Sequence, residues 1–472
     1  MSHDLIVIGA GPAGVNAALA ASRHGLAVVL IDEAEQAGGQ VYRAPYATGE
    51  QHNDPDTAAG SALRRALVQS NVDWRPGRRV WSVAKGFRID TTGADGPEVF
   101  TASRLVAATG AHERVVPFPG WTLPGVIGLA AATILIKSQT MLPGGRVIVA
   151  GCGPLLAAVA AKVAAGGGNV VTVVDLAGPL DWIAAVPRLL RRPRLLARGL
   201  GWALDLGRNR VPVHFRHTVV AAEGHGQVAH VRIAPVDREG RTSDHAMKSF
   251  DVETLVVGHG LVPGAEIPRL LRATMQFDRR RGGWIPVTDP HGRTSIEGLF
   301  AIGDGAGIRG AESASLAGEI AGAAAAFDAG KLGRSTHAEA VAPLVRQLAS
   351  YAPFADASAD FMALRPAHVA SIGGDTIVCR CEDLTRSDIE AAARDGAYEV
   401  NQLKQFTRCG MGPCQGRMCG DVAGEILAQS RGVPREAVGF WTARPPLRPV
   451  PVDEIIGDFD YSDIPIPKPA PL

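Results

Sequence analysis

The chain has 472 residues, 46% of them hydrophobic and 20% charged, with a formal net charge of +1. That length allows about three domains at roughly 150 residues each, and the balanced charge excludes a global nucleic-acid-binding surface. No basic leader precedes the first apolar run, and the longest apolar stretch, 147–161, falls short of the about 20 residues of a membrane span, so a cytoplasmic protein is expected.

The chain opens on a nucleotide-binding pattern. Leu5–Ile8 is a short β-branched run of the kind a buried parallel strand requires. Gly9, Gly11 and Gly14 follow as G-x-G-x-x-G, with Pro12 and Ala13 between them, and lead into an alanine-rich helical segment. A second apolar strand, Ala27–Ile31, ends at Asp32 and Glu33. Gly9 permits the tight turn, Gly11 lets the backbone approach a pyrophosphate, Gly14 lets helix and strand pack closely, and Asp32 can accept from ribose hydroxyls. The phosphates then lie at the helix N-terminus, where free N–H groups and the dipole favour anions.

Past the second strand, Gly38, Gly39 and Gln40, with Arg43 behind them, form a flexible turn. Residues 44–60 are polar and read as a surface loop, Ser61–Ser70 as a helix and Val80–Asp90 as a strand. Arg104–Gly110 is a strand whose end, Thr109–Gly110, brings backbone toward the nucleotide. His112–Glu113–Arg114 reads as a solvated linker in preference to a catalytic pair, and Pro117, Pro119 and Pro124 predict a rigid connection.

At Arg146 the opening pattern begins again. Gly151 and Gly153 stand for Gly9 and Gly11, Asp175 for Asp32, and Leu156 for Gly14. A leucine there holds the helix away from the strand, and Asp175 disfavours a 2′-phosphate, so ordinary NAD binding and reduced or altered nucleotide binding both stay open. Arg188, Arg191, Arg192, Arg194 and Arg198 alternate with leucine pairs, and Pro193 interrupts any helix. A solvated helix face is the preferred reading of that stretch over docking on a membrane or an acidic partner. Strands are expected at Val211–Phe215, Val228–Val236 and Thr254–Val257, the last ending at Gly258–His259–Gly260 as a mirror of Thr109–Gly110. Thr294–Asp304 is an apolar strand ending in Gly303–Asp304, whose carboxylate is placed to accept from a ribityl hydroxyl, and Ala311–Phe327 is the closing helix. With the opening unit, this segment makes FAD the expected cofactor.

Residues 331–371 read as a linker passing through a helix at 337–350. Five of the six cysteines then fall between Cys379 and Cys419, a clustering that points to metal in a chain with no secretory signal. Cys379-x-Cys381 and Cys409-x4-Cys414 are two loop pairs separated by a helix at Arg386–Asp395. Each pair can bind one iron, and four thiolates complete a [2Fe–2S] cluster; zinc is the rival occupant. Cys419, on the next helix, reads as a spare thiol, and Cys152 as a packing residue. Residues 431–472 are rich in proline and predict an extended tail that wraps the body or a partner subunit.

Together these motifs resemble the larger FAD-type subunits of multi-subunit amine and imino-acid dehydrogenases, among them opine oxidases, D-hydroxyproline dehydrogenase and hydrogen cyanide synthase. The resemblance rests on GAGPAG at Gly9–Gly14, GGQVYR at Gly38–Arg43, PFPGWTLPGV at Pro117–Val126, GCGPLL at Gly151–Leu156, Gly303–Asp304 and CRCE…TRCGMGPCQGRMC across Cys379–Cys419. It spans nearly the whole chain. It implies an α/β architecture of two Rossmann-like dinucleotide-binding domains, 1–116 with 285–330 and 117–284, a linker at 331–371, a small mostly helical BFD-like [2Fe–2S] domain at 372–430, and the tail. It also implies that GGQ lies against the flavin. In such complexes a separate amino-acid-oxidase-like flavoprotein beta subunit oxidises the substrate, and the subunit resembling this one carries electrons onward. Some relatives add FMN at a subunit interface, a small ferredoxin-like gamma subunit, or an electron acceptor at the membrane side.

The residues agree with a carrier. No Cys-x-x-Cys lies beside the flavin motif, which argues against disulfide reduction, and no convincing acid–base pair for dehydrogenation stands out. Two rival functions stay open: a self-contained NAD(P)H-dependent flavin reductase using the second fold, and a scaffold holding a structural nucleotide such as ATP there.

Overall fold

Two five-stranded parallel sheets carry the architecture of the computed structural model, which describes residues 3–45, 55–243 and 245–456. β1 (Leu5–Ile8) leads into α1 (Pro12–Arg23) and returns as β2 (Val28–Ile31). α2 (Pro55–Val68) then precedes β3 (Asp73–Arg75), the antiparallel meander β4 (Arg79–Val83), β5 (Arg88–Thr92) and β6 (Glu98–Thr101), and β7 (Leu105–Ala107). The single strand expected across 80–90 is therefore a hairpin, turned where Gly86 and Phe87 adopt positive φ (75° and 55°). α2 starts at Pro55 rather than at 61, inside the expected surface loop, because a fixed φ and a missing N–H suit a first helical turn. The rest of that loop, 46–54, lies outside the described residues.

β8 (Ala111–Glu113) crosses into the second half. There β9 (Val126–Gly128), α3 (Leu129–Ser138), β10 (Arg146–Gly151), α4 (Leu155–Ala165) and β11 (Asn169–Asp175) rebuild the opening motif. α5 (Pro179–Leu189) and α6 (Pro193–Arg208) break at the expected Pro193. β12 (Val213–Phe215), the small antiparallel sheet of β13 (His217–Glu223), β14 (His230–Pro235) and β15 (Lys248–Asp251), and β16 (Thr254–Gly258) complete this half. β17 (Leu261–Pro263) pairs antiparallel with β8. α7 (Glu266–Leu270) and the hairpin of β18 (Met275–Asp278) and β19 (Gly283–Pro286) follow, and β20 (Leu299–Ala301) rejoins the first sheet beside β7. The orders β20-β7-β1-β2-β3 and β9-β16-β10-β11-β12 correspond strand for strand, with the edge strand arriving from opposite directions along the chain. The repeat seen in the sequence is thus a repeat of whole sheets.

All four residues of β1 and all four of β2 are buried, as parallel strands covered on both faces require. One cover is the pair α1 and α8 (Ala311–Asp328). Gly318 and Gly322, about one turn apart, let the two backbones close, since a methyl at either would run into the carbonyl oxygen of Ala13 or Ala17.

α9 (Arg334–Met362) extends the expected helix by twelve residues at its C-terminal end, from Ser350 to Met362. It is packed, not solvated: Val341, Ala355, Ala357, Ala359 and Phe361 are buried along it, against α8 and then α5. Its buried stripe is built largely of alanine, which carries a weak hydrophobic signal. α10 (Pro366–Ala370), β21 (Ile377–Cys379), β22 (Leu384–Thr385), α11 (Arg386–Arg394), α12 (Val400–Thr407) and α13 (Gly420–Arg431) form a small module with its own core, including Val369, Ile389, Leu403, Val422 and Ile426. Thr385 and Asp388 close a capping box at the start of α11. The tail then returns over the first domain. The Leu447 N–H donates to the Trp81 carbonyl (2.7 Å), and the Leu447 side chain enters the core beneath β1. A last short helix, α14, spans Val452–Ile456; the rest of the proline-rich tail, 457–472, lies outside the described residues.

Gly318→Val is expected to force α8 off α1 and to cost about 1–3 kcal/mol or more as overpacking. Urea denaturation, read by the unfolding midpoint, checks this.

Candidate cofactor and cysteine sites

The first nucleotide seat forms where β1, β2, β7 and β20 end. Gly9 holds φ at 102°, which lets its backbone lie against Ala108, and Gly14 packs directly on Gly9. Pro12 opens α1, followed by Ala13, and among the described residues no side chain caps the helix N-terminus, so its N–H groups face the seat. Among the described residues a Cβ on Gly11 would touch nothing closer than the Cα of Gly39 at 4.0 Å, and one on Gly110 would meet nothing within 4 Å. The Asp32 carboxylate accepts from the backbone N–H groups of Ala10 (2.5 Å) and Ala34 (2.8 Å). Burial pushes its pKa up against the pull of those donors. Glu33 points away toward Arg79 (3.9 Å). Arg43 donates to Gln40 (3.2 Å), which ties the GGQVYR turn together. The Thr109 hydroxyl donates to the Gly264 carbonyl (2.5 Å). Gly303 adopts φ 64° beside Ala13, and the Asp304 carboxylate, raised in pKa by burial, accepts from Arg309 and Gly310 N–H (2.9 and 3.0 Å). A channel of bare glycine backbone between a helix N-terminus and a buried acid fits an elongated pyrophosphate nucleotide such as FAD.

The second seat has the same frame and a different filling. Gly151 adopts φ 137° and packs on Gly258, and Leu156 is buried in the core of its own sheet. A Cβ on Gly153 would meet the Met362 side chain at 2.8 Å. The Asp175 carboxylate accepts from Ala177 N–H (2.9 Å) and from the Trp182 indole N–H (3.0 Å), and burial pushes its pKa up to about 6.

His112–Glu113–Arg114 is not a solvated linker; the triplet runs along β8 into the interior. Arg114 is 3% exposed. Its Nε donates to Asp421 (2.6 Å), Nη1 to the carbonyls of Met362 (2.6 Å) and His259 (3.2 Å), and Nη2 to that of Gly282 (3.2 Å). Glu113 accepts from the Ala130 N–H (3.1 Å) at the start of α3, and burial pushes its carboxyl up to about 7. Burial likewise lowers the pKa of His112. Three polar residues in a row gave no apolar period to mark them as interior.

In the small module, the sulfurs of Cys379, Cys409 and Cys419 lie within 4.8 Å of one another, with Cys409 and Cys419 at 4.0 Å. All three are buried. Cys409 donates to Cys419, and the closeness of the three sulfurs holds the Cys379 thiol far below the ordinary range and pushes those of Cys409 and Cys419 up. Cys419 is therefore no spare thiol: as the N-cap of α13 it is turned back onto the other two. Cys381 is exposed and Cys414 half-buried, and burial, with Cys414 beside it, raises the pKa of Cys381. This is a soft, thiolate-rich donor set able to hold a metal ion. Cys152 is buried in the second glycine turn, and burial pushes its thiol up to about 12, which keeps it inert. Beside the cysteine loop lies a cavity of about 230 Å³, lined among others by His112, Glu266, Arg269, Trp284, Lys404 and Arg417.

Residues 3–330 match the family model for pyridine nucleotide-disulphide oxidoreductases, and residues 374–458 match that for the sarcosine oxidase A3 domain. The chain is 33% identical to the A subunit of opine oxidase from Agrobacterium tumefaciens (strain Ach5), over 96% of this chain and 91% of that one. It is 32% identical to hydrogen cyanide synthase subunit HcnB of Pseudomonas aeruginosa, over 94% and 97%. The chain belongs to the family of the opine oxidase A subunits and HcnB. Among solved structures it is similar to L-proline dehydrogenase from P. horikoshii (TM-score 0.72, 20% identity, 96% of this chain and 79% of that one), which shows the shared fold. Members of this family are oxidoreductase chains, and the FAD-binding fold of this one supports FAD as a cofactor. Among the described residues no helix is long and apolar enough to cross a membrane.

Arg114→Met should destabilise the protein by about 3–5 kcal/mol by leaving Asp421 buried without its counter-charge. Adding Asp421→Leu should recover much of the loss, and a double-mutant cycle by urea unfolding checks it. Because the folded Glu113 carboxyl titrates at about 7, above its ordinary 4.5, the native state holds a proton that the unfolded chain has lost across that window. Stability from this group falls as pH rises from 4.5 to 7 and is level above. Glu113→Gln should therefore gain on the wild type between about pH 5 and about pH 8, as unfolding midpoints at the two pH values would show.

Proposed function

We propose that this chain is the electron-transfer subunit of a multi-subunit dehydrogenase that oxidises a secondary amine or imino acid of the opine or hydroxyproline type. In this reading a partner flavoprotein subunit of amino-acid-oxidase type removes the hydride, and a small ferredoxin-like subunit or a membrane-side acceptor takes the electrons on. FAD, when bound, accepts electrons in pairs, and a [2Fe–2S] cluster releases them singly. The chain's own residues hold the two centres and join them.

The observation that carries this reading is a continuous polar connection between the two sites. The Gly264 N–H donates to the Gly110 carbonyl (2.8 Å) while Gly264 accepts from Thr109. Two residues on, Glu266 accepts from the Arg417 guanidinium (2.7 Å), and Arg417 donates to the carbonyl of Cys414 (3.1 Å). Glu266 is held ionised chiefly by Arg417 and Arg269 against its burial. The end of the FAD-side strand is thus fixed to the cysteine loop through three residues. The proposed ligands are Cys379, Cys381, Cys409 and Cys414, two on each loop, with Cys419 packed beside them from α13, where it accepts from Cys409. The names of the relatives, opine oxidase and hydrogen cyanide synthase among them, support an amine substrate and partner subunits.

Anaerobic purification followed by flavin, iron and sulfide analysis tests this. FAD with iron and sulfide in equal amounts is expected. Cys379→Ser should lose the iron and keep the flavin, and Cys419→Ala should keep both. Colourless protein, or zinc in place of iron, overturns the relay. Isolation of the native complex and a screen of N-alkyl amino acids and prolines then identifies the substrate.

A further inference from the structure

We propose that this chain closes its own second nucleotide seat: Met362 and Phe361 at the end of α9, with Trp182, fill the volume a dinucleotide would take, so that this fold binds neither NAD(P) nor ATP and instead anchors α9. The two seats are built on corresponding strands, so the first serves as an internal standard for the second. At the helix N-terminus, a Cβ on Gly11 would have 4.0 Å to its nearest neighbour, whereas one on Gly153 would meet the Met362 Cγ at 2.8 Å and its sulfur at 3.5 Å. At the end of the third strand, a Cβ on Gly110 would meet nothing among the described residues within 4 Å, whereas one on Gly260 would meet the Met362 carbonyl at 2.6 Å and its Cβ at 2.9 Å. The pyrophosphate path, which needs bare backbone at both glycines, is therefore blocked at both by one side chain and its carbonyl.

The ribose end is blocked independently. Among the described residues Asp32 is met by backbone N–H groups alone, but Asp175 accepts from Trp182, a donor that takes the place of a ribose hydroxyl. The Trp182 ring stacks on Phe361, with centroids 4.0 Å apart and planes at 21°. The pair is enclosed by buried Ala177, Ala185, Leu189 and Ala357. The plug is also pinned in place. Arg114 donates to the Met362 carbonyl, Arg188 and Arg280 both bind Asp360 (2.7 Å each), and Arg365 donates to the carbonyl of Leu176, the residue after Asp175 (3.1 Å). A nucleotide would have to break these contacts before making its own.

The test is equilibrium dialysis of the FAD-loaded protein against labelled NAD⁺, NADP⁺ and ATP, for the wild type and for the variant Phe361→Ala/Met362→Ala. The wild type should retain none of the three, and excess NADH under anaerobic conditions should leave the flavin absorbance unchanged. The opened variant should acquire saturable NAD⁺ or ATP binding, at least tenfold tighter than wild type, that Asp175→Asn then weakens. Saturable binding to the wild type that is weakened by Asp175→Asn overturns the proposal. A folded variant that still retains nothing overturns the plug as the cause. Should the variant not fold, hydrogen–deuterium exchange of residues 357–365 in the wild type decides: exchange unchanged by millimolar NAD⁺ or ATP supports the plug, and accelerated exchange overturns it.

Discussion

The Arg114 guanidinium is the point on which the arrangement of the parts depends. Its donors reach the end of β16, the end of α9, the turn into β19 and the Asp421 carboxylate on α13. Only arginine offers enough fixed donors for such a junction. Beside it, Arg279 binds Glu425 (3.0 Å), one turn along α13 from Asp421. Two acids on one face of α13 thus meet two arginines from the nucleotide-binding body. The buried pairs are better understood as setting register than as adding stability, since desolvation offsets most of their attraction. They set the position of α13, and with it the position of Cys419 at its start.

The two sheets show how one architecture takes two roles. Strand order and glycine turns are common to both, and in both the acid ends the second strand. The difference lies just beyond that acid. After Asp32 the chain leaves on a glycine turn; after Asp175 it enters α5, which brings Trp182 over the acid and offers a floor for Phe361. Leu156, in place of a third glycine, is absorbed by the core of the second sheet, and the β10–β16 pairing keeps its register. The altered motif and the filled seat occur in the same sheet.

Much of the fold was legible because nucleotide seats demand rare local features. Gly9, Gly151 and Gly303 stand at positive φ in tight turns, and acids end apolar strands, so the pattern shows in one dimension. The parts that were missed are those whose logic is tertiary. Arg114 is defined by four partners between 145 and 307 residues away. Cys419 belongs to the thiol group only because α13 is docked as it is. α9 looked like a linker because a stripe of alanines packs on neighbours that are themselves alanine-rich. The hairpin at Gly86 was hidden by apolar residues that continue on both sides of the turn.

The close contact of α1 with α8 has one more consequence. At Gly318 and Gly322 the two helices touch backbone to backbone, and glycine and alanine have no rotamers to change. The helix whose N-terminus faces the first seat is thereby welded to the helix that comes after Asp304. A change of charge at that seat therefore meets a helix end that its neighbour holds in place. A helix end held in this way contributes little rearrangement of its own when the charge in the seat changes.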